Sequence, residues 1–332
     1  MARKFAKPSR YNLQSPVKRI GEDRLPAGHR RCQGLASALG AIITIGFVVS
    51  IAPAFAQDAD DMVRLTSGRR VSKTLPPFAS IRGHRSTAHG ILLKDLKSGR
   101  TLYQFGADQR LAPASLTKIA TALVILEYGR LYEHATVSPQ AAAAHRTHLR
   151  LHAGQVFRLE DLLKAMLITS ANDACLAAVE HVAGSEEQFV VLMNAKAATY
   201  GLADTHFTNA CGFDGPTHYS TAADLARLSE IALQNPMFRD FVRQEIDIIT
   251  TVNDNRSYLL HNTNRLLGKL PGVEGIKTGF TSRAGRCLIA KVSQDGKELL
   301  LVLLHARQRW NTAAQLINDG LQVLETRSGS IR

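Results

Sequence analysis

Three short strings in this chain carry side chains whose types and spacing suit covalent chemistry: Ser115-Leu116-Thr117-Lys118, Ser170-Ala171-Asn172 and Lys277-Thr278-Gly279. A serine and a lysine three residues apart share one helix face, with about 5–6 Å between their Cβ atoms. The Ser115 hydroxyl is a weak nucleophile until a base stands within hydrogen-bond reach. Lys118 can be that base only when neutral, a state that burial or a second cation favours by lowering its pKa. Lys277 is the candidate second cation, and the helix N-terminus adds positive potential that favours an alkoxide. Ser170 is a candidate proton relay to a leaving group, and Asn172 a candidate partner for a substrate amide. Lys277, Thr278 and Gly279 read as a strand able to pair with an extended peptide, the first two offering donors to a carboxylate and the glycine allowing close approach. The backbone N–H groups of Ser115 and Phe280 are the candidate oxyanion hole. Each string also has a plain structural reading: a helix cap with a solvated lysine, a cap for a helix starting near Asp173, and an ordinary edge strand. All three in this order, about 50 and then 100 residues apart, favour acyl transfer through a serine.

Those side chains need elements to hold them. Residues 90–96 and 101–105, joined by Lys97-Ser98-Gly99, predict a β-hairpin. From Ser115 the apolar period changes to that of a helix, with Leu116, Ile119, Ala120, Leu123 and Val124 on one face and Pro113 just upstream. The middle predicts helices over 159–167, 175–182, 188–200 and 222–233, with loops between them. Short apolar strands return at 275–280, 286–292 and 298–305, the last two joined through Ser293-Gln294-Asp295-Gly296, and an amphipathic helix over 310–324 follows. Strands from both ends of the domain around a helical insert predict an α+β fold: one antiparallel sheet covered by helices, with a helical subdomain beside it.

The first 56 residues read as an address rather than as fold. They hold nine of the 41 Lys and Arg but only two of the 28 acids, then a mostly apolar run over 35–52 and Ala54-Phe55-Ala56 before Gln57-Asp58. That pattern predicts an export signal cleaved after Ala56, with an uncleaved membrane anchor as the alternative. Residues 57–85 read as a flexible leader, 86–326 as the catalytic domain and 327–332 as a short tail. Without the signal the net charge falls from +13 to +6, which suits anionic cell-wall polymers and argues against nucleic acid. Of the four cysteines, Cys175, Cys211 and Cys287 lie after the signal. Small buried thiols are the favoured reading, and the spacing selects no disulfide pair.

The strings extend into longer phrases: Pro113-Ala114-Ser115-Leu116-Thr117-Lys118, Ser170-Ala171-Asn172-Asp173-Ala174, Asn262-Thr263-Asn264-Arg265-Leu266-Leu267 and Gly275-Ile276-Lys277-Thr278-Gly279-Phe280-Thr281. In these the chain resembles the D-alanyl-D-alanine carboxypeptidases among the low-molecular-mass penicillin-binding proteins, over roughly residues 85 to 325. The resemblance implies the β-lactamase/transpeptidase-like fold, with a central sheet of about five strands. It implies peptidoglycan stem peptides ending in D-Ala-D-Ala as substrates, an acyl-enzyme on Ser115, covalent inhibition by β-lactams, and no metal or other cofactor. It also places an arginine for the terminal carboxylate at Arg309, with Arg307 as the near alternative. Many relatives carry a further C-terminal β-rich domain and a membrane-gripping helix; neither is expected here, so the protein reads as periplasmic, membrane-bound only through an uncleaved N-terminal segment.

Four competitors remain. A D,D-endopeptidase would use the same machinery on cross-linked peptidoglycan. A class A β-lactamase needs E-x-x-L-N, and Glu230-Ile231-Ala232-Leu233-Gln234 carries Gln in place of the Asn. An inactive wall-binding homologue is disfavoured because every reactive side chain is in place. A zinc hydrolase, prompted by His145, His148 and His152, lacks the H-E-x-x-H pattern.

Overall fold

The computed structural model of the protein describes residues 87–329. The expected signal and leader lie outside the described residues, as do 330–332 of the expected tail.

The chain enters through a hairpin, β1 (Gly90–Asp95) and β2 (Thr101–Phe105). A 3-10 turn (Ala114–Thr117) then runs directly into α1 (Lys118–Tyr128). A helical region follows: α2 (Pro139–Ala142), α3 (Leu159–Ile168), α4 (Asn172–Ala183), α5 (Glu186–Thr199), α6 (Ala222–Ala232) and α7 (Pro236–Val242). Two small ribbons punctuate it, β3 (His134–Thr136) with β4 (Val156–Arg158), and β5 (Ile246–Thr250) with β6 (Ser257–His261). The chain then returns to the sheet as β7 (Val273–Thr281), β8 (Gly285–Gln294) and β9 (Lys297–Ala306), and α8 (Arg309–Gly329) packs back across it.

The main sheet has five antiparallel strands in the order β2-β1-β9-β8-β7, as expected in class and in number. Strands from the two ends of the domain pair directly, from Gly90 opposite Leu304 to Asp95 opposite Leu299. β9 lies mid-sheet and is apolar on both faces. Leu299, Leu301 and Leu303 join Leu316 and Ile317 of α8 in one core cluster, while Leu300, Val302 and Leu304 join the cluster formed with the helical subdomain. A continuous apolar run is what a strand covered on both sides requires, because successive side chains point to opposite faces. The β8–β9 turn is the two-residue Asp295-Gly296, both at positive φ (48° and 72°), in keeping with the primed turns of tight hairpins.

The ribbons β3–β4 and β5–β6 were not among the predicted elements. Strands of three residues such as β3 and β4 offer no period to read. The helix predicted over 310–324 runs over Arg309–Gly329, so the expected tail begins as helix.

Candidate active site

β7 is an edge strand of the main sheet, and its backbone passes close to the 3-10 turn that carries Ser115. Gly279 permits that approach: a Cβ there would stand 3.1 Å from Pro113 O and 3.2 Å from Ser115 N. On another side of the turn lies Gly212, at φ 85°, where a Cβ would fall 2.0 Å from Ala114 O. Two glycines thus let one strand and one loop close on the backbone around Ser115. Ser115 itself is half-buried at the floor of a groove of about 410 Å³, lined also by Arg146, Thr147, Ser170, Thr278, Gly279, Phe280 and Arg309.

Two of the bulkiest fully buried side chains in the protein are lysines, Lys118 and Lys277. Lys118 Nζ lies 3.3 Å from Ser115 Oγ, 2.7 Å from Asn172 Oδ1, and within hydrogen-bond reach of the carbonyl of Cys211. Burial, reinforced by the charge of Lys277, pushes the Lys118 ammonium well below its usual pKa. The coordination then has a definite stoichiometry. A neutral amine has two N–H donors and one lone pair; the donors go to Asn172 Oδ1 and Cys211 O, and the lone pair is left for the Ser115 hydroxyl proton. Lys277 is lowered to about 7 by burial and by the neighbouring Arg309 cation. Its Nζ donates to Thr278 O at 3.3 Å.

Asn172 and Asp173 open α4, whose N-cap is Ala171, without a side-chain bond. Of the S-A-N-D string only Asp173 meets a first-turn N–H, that of Ala174 at 2.9 Å, so the capping reading holds for that residue alone. The Asn172 carboxamide is committed instead to Lys118 and, through Nδ2, to His145 O at 2.9 Å. The buried Asp173 carboxylate accepts the N–H groups of Leu149, Leu151 and Ala174. Ser170 lines the groove at φ 65°, a left-handed conformation that a non-glycine residue seldom takes. Among the described residues its hydroxyl makes no hydrogen bond.

On the sheet side, Thr278 Oγ1 lies 2.6 Å from Thr263 Oγ1. Asn264 Nδ2 donates to Gly275 O at 3.1 Å, so the 262–267 phrase buttresses β7 from behind. Arg309, at the start of α8, stacks on Trp310 at 4.4 Å and donates through Nη1 to Gly279 O and Cys287 O, at 2.8 and 3.1 Å. Its Nε is buried without a hydrogen-bond partner among the described residues. Arg307 is exposed and is not among the groove-lining residues.

The cysteine expectation is corrected. Cys175 and Cys211 form a disulfide with Cα atoms 6.1 Å apart, and only Cys287 of the described cysteines is a free buried thiol. Spacing alone could not find the pair, because α4 and the loop bearing Cys211 meet only in the tertiary fold. Two further participants escaped sequence reading. One is the Cys211 carbonyl, since a backbone acceptor has no residue signature. The other is His218, buried, with Thr208 N donating to its Nδ1 at 3.0 Å and its Nε2 2.9 Å from Thr117 Oγ1, inside the Ser115–Lys118 string. His145, His148 and His152 are exposed, and among the described residues no three His, Cys, Asp or Glu side chains are grouped to hold a metal.

The fold and the Ser–Lys pair define the class of the penicillin-binding, transpeptidase-like proteins. Among solved structures of that class, the D-alanyl-D-alanine carboxypeptidase of Mycobacterium tuberculosis H37Rv superposes with TM-score 0.70 at 29% identity, covering 74% of this chain and 95% of that one. The Streptomyces K15 DD-transpeptidase gives TM-score 0.69 at 27% identity, over 73% and 100% of the two chains. The chain belongs to the D-alanyl-D-alanine carboxypeptidase family, whose model matches residues 79–308. It is 34% identical over 239 residues to D-alanyl-D-alanine carboxypeptidase DacF of Bacillus subtilis, covering 69% of this chain and 61% of the relative. With DacC of Escherichia coli K12 it shares 36% over 254 residues, or 72% of this chain and 62% of the relative. The matched region thus spans about three fifths of the length of these two relatives.

Proposed function

We propose that the protein is a serine-type D-alanyl-D-alanine carboxypeptidase that removes the terminal D-alanine from peptidoglycan stem peptides. The observation that carries this reading is the coordination of Lys118: a buried amine whose two N–H groups have acceptors and whose lone pair faces the Ser115 hydroxyl. Lys118 takes the Ser115 proton as Oγ attacks the carbonyl between the two D-alanines. The N–H groups of Ser115 and Phe280 stabilise the oxyanion where the turn and β7 converge. Ser170 relays the proton that Lys118 has taken to the leaving amine, with Lys277 adding positive potential nearby, so that Lys118 is neutral again when water enters. The terminal D-alanine carboxylate lies against Arg309 and Thr278. Water then attacks the acyl-enzyme and releases the shortened peptide and Ser115. A β-lactam acylates the same hydroxyl.

The β-lactamase alternative loses its nearest candidate glutamate. Glu230 lies in α6 and pairs with Lys94 at 2.6 Å, and it is not among the residues that line the groove. An exported, periplasmic location is part of the proposal, and the Cys175–Cys211 disulfide supports it, because such bonds form and persist in oxidising compartments. Cleavage after Ala56 leaves the enzyme free in that compartment, and retention of the N-terminal segment as a membrane anchor is the alternative. The test is release of D-alanine from a peptide ending in D-Ala-D-Ala, together with labelling by a fluorescent penicillin. Ser115→Ala is expected to lose both, and release that survives in Ser115→Ala refutes the mechanism. A cross-linked muropeptide in the same assay separates carboxypeptidase from endopeptidase, and a protein that neither labels nor releases D-alanine is an inert wall binder.

A further inference from the structure

The groove has two walls that present guanidinium groups, and the proposed reaction uses only one of them. Arg309 comes from the sheet side. Arg146 comes from the loop between α2 and β4, on the wall built by the helical subdomain, and lines the same groove as Ser115. This loop is held at several points to the start of α4. Asn172 ties it on both sides of Arg146: its Nδ2 donates to His145 O at 2.9 Å and its backbone N–H to Thr147 O at 2.8 Å. Two residues further on, the buried Asp173 carboxylate accepts Leu149 N and Leu151 N at 2.9 and 3.0 Å. Between these ties Arg146 takes φ 69°, in the left-handed region that a non-glycine residue seldom occupies. Its side chain is exposed, and among the described residues it makes no ion pair. Asn172, which hydrogen-bonds Lys118, therefore also holds the backbone from which an unpaired arginine side chain lines the groove.

We propose that Arg146 is a second carboxylate-binding group, one that selects peptides bearing a free carboxylate upstream of the scissile bond. The inference rests on the carboxypeptidase reading. In that reading only one residue, the terminal D-alanine, lies downstream of the attacked carbonyl, and Arg309 takes its carboxylate. Any other anion met by the facing wall belongs to the peptide's acyl portion. A planar guanidinium suits a carboxylate there better than a neutral amide, because it offers two parallel N–H donors and a full charge.

The experiment compares two synthetic peptides ending in D-Ala-D-Ala. They differ only in whether the residue before the first D-alanine carries a side-chain carboxylate or the corresponding amide. The full chain is expected to favour the carboxylate peptide about tenfold in kcat/KM, the scale of one charge-assisted contact at a solvent-open site. In Arg146→Gln that ratio falls to about one, whereas Arg150→Gln, which removes a neighbouring cation outside the groove, keeps it. A folding defect lowers both rates together and leaves the ratio in place, so the ratio reports recognition. An unchanged preference in Arg146→Gln, or no preference in the wild type, overturns the inference while the carboxypeptidase reading stands. Hydrolysis of neither peptide by the wild type overturns both.

Discussion

Reduction of the Cys175–Cys211 disulfide tests how far Lys118, the proposed base, depends on remote covalent structure. The bond closes a loop with a sequence separation of 36 residues. In the chain-entropy model, releasing such a loop returns to the unfolded chain about 4 kcal/mol of freedom that the cross-link had removed. For a domain of this size each kcal/mol moves Tm by about 2–4 °C, so reduction lowers Tm by roughly 8–16 °C. The site is affected as well, because Cys211 O is one of the two acceptors that hold the Lys118 amine, and the other comes from Asn172, three residues before Cys175. The assay is a thermal melt with and without a phosphine reductant, paired with penicillin labelling well below both transitions. Labelling of the reduced protein is expected to slow while the fold persists, as the base loses its fixed orientation. Thiol titration of the denatured chain supplies the covalent check: two fewer thiols before reduction than after. A Tm that reduction does not move, with the thiol count confirming that the bond had formed and broken, refutes the stability argument. An unchanged labelling rate in the same reduced sample refutes the link to Lys118.

Burial holds His218 down at about 4, below its usual 6.5, so the folded protein favours the neutral ring. A base with a depressed folded pKa binds fewer protons than the unfolded chain between the two values, so stability is lost as pH falls from about 6.5 towards 4, by up to about 3 kcal/mol. Chemical denaturation across that range should show the loss, and His218→Gln should flatten it; an unchanged slope in the variant refutes the assignment. Arg309→Gln is expected to raise KM for D-Ala-D-Ala peptides about tenfold or more, since a buried guanidinium that meets a carboxylate loses both charge and fork. Steady-state kinetics beside a thermal melt checks this, and a KM that Arg309→Gln leaves unchanged in a folded variant refutes the assignment.

How much of the site was legible follows from the kind of signal each part leaves. Ser115 and Lys118 are three residues apart in one turn, so helix geometry alone brings them together. The serine's setting is less regular than its sequence suggests: it lies in a 3-10 turn, and α1 begins only at Lys118. Asn172 was legible as a residue but not as a partner, because its bond to Lys118 spans 54 positions. The Cys175–Cys211 bridge, the Cys211 carbonyl, the buried His218 and the unpaired Arg146 left no pattern at all. Each is defined by a loop packed against an element distant in sequence.

The sequence by itself pointed to the chemistry and determined the scaffold class. A candidate nucleophile with its candidate base, a polar loop and a cationic strand stand in a fixed order, and local periodicity is enough to assign each to a helix start, a loop or a strand. The apolar run over 298–305 likewise read as a strand, and the fold then showed both of its faces covered. Tertiary structure alone decided the electrostatics. A lysine becomes a base through burial and through the charge of another lysine, and both depend on β7 closing on the 3-10 turn across more than a hundred and fifty residues of chain. Local pattern carries no information about what desolvates a group, because the atoms that exclude water from Lys118 and Lys277 come from elsewhere in the chain.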